Sequence, residues 1–138
     1  MAQTQTWTDT GIAELILLLR EEAATGMESI VCLDKATVVT AAVGSTFAAP
    51  GSSSAHHTDS GLLLAAIDTV GTTNVNTTGD TITFDHVFTA TGTKNVAGIH
   101  VCNNDDDVTF IECGFNAVLA VENTDTITID GQSTIDQA

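Results

Sequence analysis

The sequence predicts a mainly β protein, an antiparallel β-sandwich of the immunoglobulin-like or jelly-roll-like kind with one N-terminal α-helix. From Gly61 onward, apolar β-type segments recur about every ten residues, separated by clusters of Gly, Asn, Asp and Thr. Thr81-Ile82-Thr83-Phe84-Asp85-His86-Val87-Phe88 alternates between polar and apolar residues, which gives a strand one wet and one dry face. The chain of 138 residues is 43% hydrophobic, enough to bury a core as a single domain, 1–138, without help from disulfides or metal.

The helix is predicted over about 11–24. Asp9 or Thr10 can cap it, Glu14 sits near the positive end of its dipole, and Leu15, Ile16, Leu18 and Leu19 follow at helical spacing. Gly26 closes it, and Ser29-Ile30-Val31-Cys32-Leu33 reads as a short buried strand. Residues 36–60 are rich in Ala, Ser, Thr and Gly and hold the only proline, Pro50, so they read as a long loop, with a strand conceivable at 37–43. Strands are then expected at 62–70, 81–89, 96–102, 108–113 and 124–129, with a short one near 117–121. The apolar phase slips between Asp85 and Val87, the mark of a bulge. Asn103-Asn104-Asp105-Asp106-Asp107, between two apolar strands, reads as a hairpin tip. Gly79-Asp80-Thr81-Ile82-Thr83 matches Thr124-Asp125-Thr126-Ile127-Thr128, a turn Asp launching a two-faced strand, and two copies fall short of a solenoid.

Composition narrows the partners. Three Lys+Arg against 18 Asp+Glu give a net charge of −15, so neither a phosphate backbone nor an anionic membrane surface is an expected partner. A cationic partner, divalent ions or concentrated salt fit better, and excess carboxylate with scarce Lys suits a halophilic or marine setting. Cys32, Cys102 and Cys113 stand in no ligand spacing and read as buried free thiols. Residues 1–10 are polar, unlike a secretory leader, and the apolar stretch 12–19 is far short of the roughly 20 residues of a membrane span.

Three places could carry chemistry. Asp105, Asp106 and Asp107 with Asn103 and Asn104 gather hard oxygens suited to calcium, but without the glycine hinge and distal Glu of an EF-hand loop; a solvated hairpin tip is the simpler reading. His56 and His57, with Asp59 nearby, could hold zinc, yet adjacent residues of an extended chain point to opposite sides; two exposed histidines on a Ser-rich loop also suit a subunit contact. His100 and Cys102 share a strand face, and Glu112 or Cys113 could join them in a zinc site, with the hairpin register deciding. A five-residue loop at 103–107 puts Cys113 on the face opposite Cys102. No G-x-S-x-G elbow, P-loop or dinucleotide-binding glycine pattern occurs, and one Trp, five Phe and no Tyr supply little stacking surface for sugars. Trp7 reads as a staple before the helix or as an inter-subunit contact.

The order of these features resembles a family of small structural proteins of tailed viruses, phage or archaeal. There an N-terminal helix leads to a strand, a Thr/Ala/Pro-rich loop and a run of β-strands. The matching residues are 14–20 for the helix, 29–34 for the strand, Phe47-Ala48-Ala49-Pro50 and Thr58-Asp59-Ser60-Gly61-Leu62 for the loop and re-entry, and Val96-Ala97-Gly98-Ile99-His100-Val101 and 118–129 for the C-terminal half. The sequence departs from the family where Val96-Ala97 replaces the Glu of its E-A-G-L strand, and where Asn123-Thr124-Asp125 replaces its closing Gly-Asp. The resemblance implies a non-enzymatic virion component, assembled in the host cytoplasm, that decorates a capsid or forms a turret, tail or fibre piece. The expected partners are further copies of itself and other virion proteins such as the capsid protein, and no cofactor is expected unless calcium binds. Trp7, Leu15, Leu18, Leu19, His56 and His57 are the expected interface residues. A receptor- or glycan-binding adhesion module, with loops 44–60 and 103–107 as contact surfaces, and a surface-layer or filament subunit are the alternatives.

Overall fold

The computed structural model describes residues 4–11, 26–50, 54–73, 80–103 and 108–135. Among these residues nine strands form two antiparallel sheets: β1 (Thr4–Trp7), β2 (Ser29–Asp34), β3 (Ala55–His56), β4 (Ala65–Ala66), β5 (Thr69–Thr73), β6 (Asp80–Thr89), β7 (Lys94–Cys102), β8 (Thr109–Val121) and β9 (Thr126–Ile135). The larger sheet runs β1-β8-β7-β2-β3, with β4 also paired to β2, and the smaller runs β5-β6-β9. Of the predicted helix, Asp9 to Gly11 have helical backbone, and residues 12–25, including Leu15, Leu18 and Leu19, lie outside the described set.

The two sheets face each other across one core. Alternate residues point inward: Ile30 and Cys32 from β2, Ile99 and Val101 from β7, Phe84 and Phe88 from β6, and Ile127 and Ile129 from β9. Burial of such side chains is worth about 1.5–3 kcal/mol each and dominates the stability of the sandwich. The chain passes from one sheet to the other at residues 67–68, where Ile67 N donates to Glu28 O (2.9 Å) and Asp68 N to Asp85 O (3.0 Å). The expected single strand at 62–70 is therefore two short ones in different sheets. On the opposite side Trp7 Nε1 donates to Ser133 Oγ (2.8 Å), so Trp7 joins the edge of one sheet to the edge of the other; residues 12–25 of the helix it is expected to staple lie outside the described residues.

β6 carries no bulge. Its register with β9 is unbroken from Asp80↔Ile135 to Thr89↔Thr126. The apparent phase slip arises because His86 takes an inward position, its ring against Phe88 (centroids 4.4 Å apart), while Val87 is left exposed. The irregularities fall instead between β7 and β8, at Val96/Gly98 and Val101/Cys102. The strands expected at 108–113 and 117–121 are one continuous β8, and the stretch 37–43 forms no strand. β1 and β3 arise in segments that carry no clear alternation in the sequence.

The loop 36–50 lies over the outer face of the larger sheet. Val39 is fully buried there with Leu33 and Ala97, and Val118 packs against them. Asp9 N donates to Val43 O (2.8 Å), and residues 46 and 49 bridge each other, so the loop is pinned at several points. Ser60 and Gly61 both have left-handed backbone, φ 59° and 73°. A Cβ on Gly61 would come within 2.0 Å of Thr89 O, so only glycine fits this re-entry into the sheet.

Candidate functional site: a buried carboxylate–histidine relay beside an apolar groove

The β7–β8 register makes His100 and Glu112 direct cross-strand partners, with Val31 of β2 opposite His100 on the other side. Both side chains point outward from the core under loop 36–50, and both are fully buried. His100 Nε2 lies 2.8 Å from Glu112 Oε1. The other carboxylate oxygen accepts from Ala42 N (2.8 Å) and Ser45 Oγ (2.7 Å), two groups of the loop. Taking a carboxylate out of water costs several kcal/mol, and it is offset only where donors are aimed at its lone pairs. Here a backbone N–H, a hydroxyl and an imidazole N–H fill that role, with His100 Nε2 donating to Glu112.

On its other side, His100 Nδ1 lies 2.9 Å from His56 Nε2, with Thr109 Oγ1 at 3.4 Å. His56 sits on β3, placed by the pairing Leu33↔His56. Its ring is tilted against Phe47 of the loop (centroids 4.4 Å) and edge-on to His100 (4.9 Å). Burial and the neighbouring His100 hold the His56 pKa at about 4, against 6.5 ordinarily, with Glu112 partly opposing. His56 is thus neutral near pH 7. The result is a chain Ser45/Ala42–Glu112–His100–His56 that ties the loop, β8, β7 and β3 together through polar groups.

Beyond His56 the surface opens into a groove of about 330 Å³ lined by Val31, Phe47, His56, His57, Thr58, Leu63 and Leu64. Leu63 is 45% exposed. Among the described residues no carboxylate lines the groove, in a chain with 18 of them. His57 points away from the relay, its Nε2 donating to Asn95 O (2.8 Å), and it is buried, not exposed on a mobile loop as the Ser-rich sequence suggests. Asp34 Oδ2 is 3.9 Å from His57 Nδ1, and Asp59 pairs with Lys94 (2.8 Å).

The sequence-derived candidates are distributed as follows. His56 belongs to the relay and groove; Trp7 belongs to the β1–β9 seam; Asp105, Asp106 and Asp107 lie outside the described residues, with the hairpin below them closed by Asn103 N to Val108 O (3.1 Å). Among the described residues no group of three or more His, Cys, Asp or Glu is arranged to hold a metal. His100 and Glu112 do share a face as the zinc reading required, but they bond each other, and Cys102 Sγ turns to Ser29 O (3.6 Å). Cys113 pairs with Ile99 on the core side, opposite Cys102. Desolvation raises the Cys32 thiol to about 12 and also raises that of Cys113. The role of Glu112 as the hub of a network with Ser45 and Ala42 has no signal in the sequence, since the loop residues that bond it are small and common. No protein-family model, no curated protein and no solved structure matches this chain.

Proposed function

We propose that the chain is a self-associating structural subunit of a virus particle, a capsid-decorating or turret component of a tailed virus, in which copies meet through the apolar groove beside β3. The observation that carries this reading is the groove itself. In a protein of net charge −15, a half-exposed apolar surface that no carboxylate of the described residues lines is where a second acidic copy can dock without like-charge repulsion. The virion setting rests on the sequence resemblance, and the groove supplies the means of association. In this reading the relay is a structural tie that shapes the groove and performs no catalysis.

Salt discriminates well. Screening falls to about 3 Å at 1 M ionic strength, so repulsion between acidic copies weakens while apolar contact persists. Size-exclusion chromatography with light scattering, in low and molar salt and with and without a chelator, is the test. A discrete oligomer that strengthens with salt supports the reading, and its loss on chelation would add calcium to the assembly. A monomer under every condition overturns it.

A further inference from the structure

We infer that the contact between His56 and His100 is a proton-operated latch, by which mild acid loosens β3 at the edge of the larger sheet. The argument is geometric. At 2.9 Å, the gap between His56 Nε2 and His100 Nδ1 holds one proton, donated by whichever nitrogen carries it. His100 Nε2 is already committed to Glu112 at 2.8 Å. While only one of the two rings is cationic a proton still bridges the gap, but once both are, N–H is set against N–H and the contact must break. Among the described residues His56 is the relay's link to β3, a two-residue edge strand held to β2 by the pairs at Leu33 and Asp34 and by the neighbouring His57 N donating to Cys32 O (3.0 Å), and its ring supports Phe47 of the loop. Breaking the contact therefore loosens β3 and the Phe47 side chain, while the rest of the loop stays tied to Glu112 and Asp9.

The groups that face His56 are few. His100 from β7 opposes its protonation and Glu112 from β8 favours it. Residues 36–50 contain no charged or titratable side chain, and Asp34 of β2 lies near His57, not His56. His57 faces Asn95 O, so it is a natural control. In the closed state His56 resists protonation, and in the open state it titrates like a free imidazole, so acid favours opening. The open fraction is expected to rise about tenfold between pH 7 and pH 5. Where copies meet at the groove, as proposed above, the same latch makes assembly acid-sensitive, and that consequence alone rests on the proposed function.

Amide hydrogen exchange of the full chain, at monomeric dilution and corrected for the intrinsic pH dependence of exchange, tests the latch. Protection at 55–58 is expected to fall about tenfold from pH 7 to pH 5 while 42–46, β6 and β9 hold theirs. His56→Gln is expected to remove the pH response, and His57→Asn to keep it. An unchanged wild type, or a His56→Gln protein that still responds, overturns the latch. A second arm follows wild-type assembly by light scattering over the same pH range, so that a failure of self-association is read separately from a failure of the latch.

Discussion

Replacing Glu112 by Leu removes one side chain and strands three donors. Ala42 N, Ser45 Oγ and His100 Nε2 lie 2.7 to 2.8 Å from its oxygens, and nothing in leucine accepts their bonds. Hydrogen bonds to a charged group are worth about 1.5–3 kcal/mol each, so the gross loss is about 4.5–9 kcal/mol. Against this, the variant no longer buries a carboxylate, which recovers several kcal/mol. The net expectation is the usual cost of removing one partner of a buried pair, about 3–5 kcal/mol. For a domain of this size that is roughly 10–20 °C in Tm. Equilibrium urea unfolding, followed by circular dichroism and by the fluorescence of Trp7, measures it, with coincident transitions to establish two-state behaviour. Glu112→Gln keeps an acceptor for the loop and is expected to fall between the two. A Glu112→Leu protein within about 1 kcal/mol of wild type would refute the reasoning, because desolvation would then cancel the whole network.

Other consequences are smaller. The folded-state pKa of His56, about 4, lies below its unfolded value of 6.5, so its neutral form contributes stability that is present above about pH 6.5 and lost as pH falls toward 4. His56 is only part-buried, so solvent screening cuts the full conversion of about 3 kcal/mol to about 1–2 kcal/mol, and His56→Gln should flatten that part of the stability–pH curve. Trp7→Phe keeps the apolar contact and loses the bond to Ser133, costing about 1 kcal/mol in urea unfolding followed by circular dichroism alone, since the variant has no Trp. Gly131→Ala places a Cβ 2.2 Å from the Phe84 ring, which must shift within the core, at a cost of about 1–3 kcal/mol. Thr124 has φ 78°, an outlying backbone angle for a β-branched residue, and Thr124→Gly is expected to stabilise by about 1 kcal/mol. Native protein treated with a thiol reagent should leave Cys32 unmodified, since the thiol is buried and its pKa stands at about 12, whereas unfolded protein should react at all three cysteines.

How far the fold was legible follows from where side-chain alternation survives. Ile82, Phe84 and Phe88 on β6, and Ile127 and Ile129 on β9, announce two-faced strands directly, and both lie in the smaller sheet. β1 is hidden because Thr4-Gln5-Thr6-Trp7 offers one large apolar residue. β8 looks like two strands because Gly114 and Asn116 interrupt its apolar run while the backbone continues through them. The relay is harder still. A five-residue tip predicts that His100 faces Phe110, but the shift at Val101/Cys102 moves its partner to Glu112. His56, 44 residues away, reaches His100 only because β3 adds to the edge of β2, a pairing that two residues of sequence do not encode.

The central claim, that copies associate through the apolar groove, is tested most directly by sedimentation velocity of wild type and Leu63→Asp side by side in molar salt. Leu63 is 45% exposed and lines the groove, so the substitution should leave the fold intact while placing a carboxylate in the contact. The account predicts a concentration-dependent oligomer for wild type and a monomer for the variant, with equal urea midpoints at low salt and a dilution where both are monomeric. A variant that assembles as wild type does, or a wild type that stays monomeric, contradicts it.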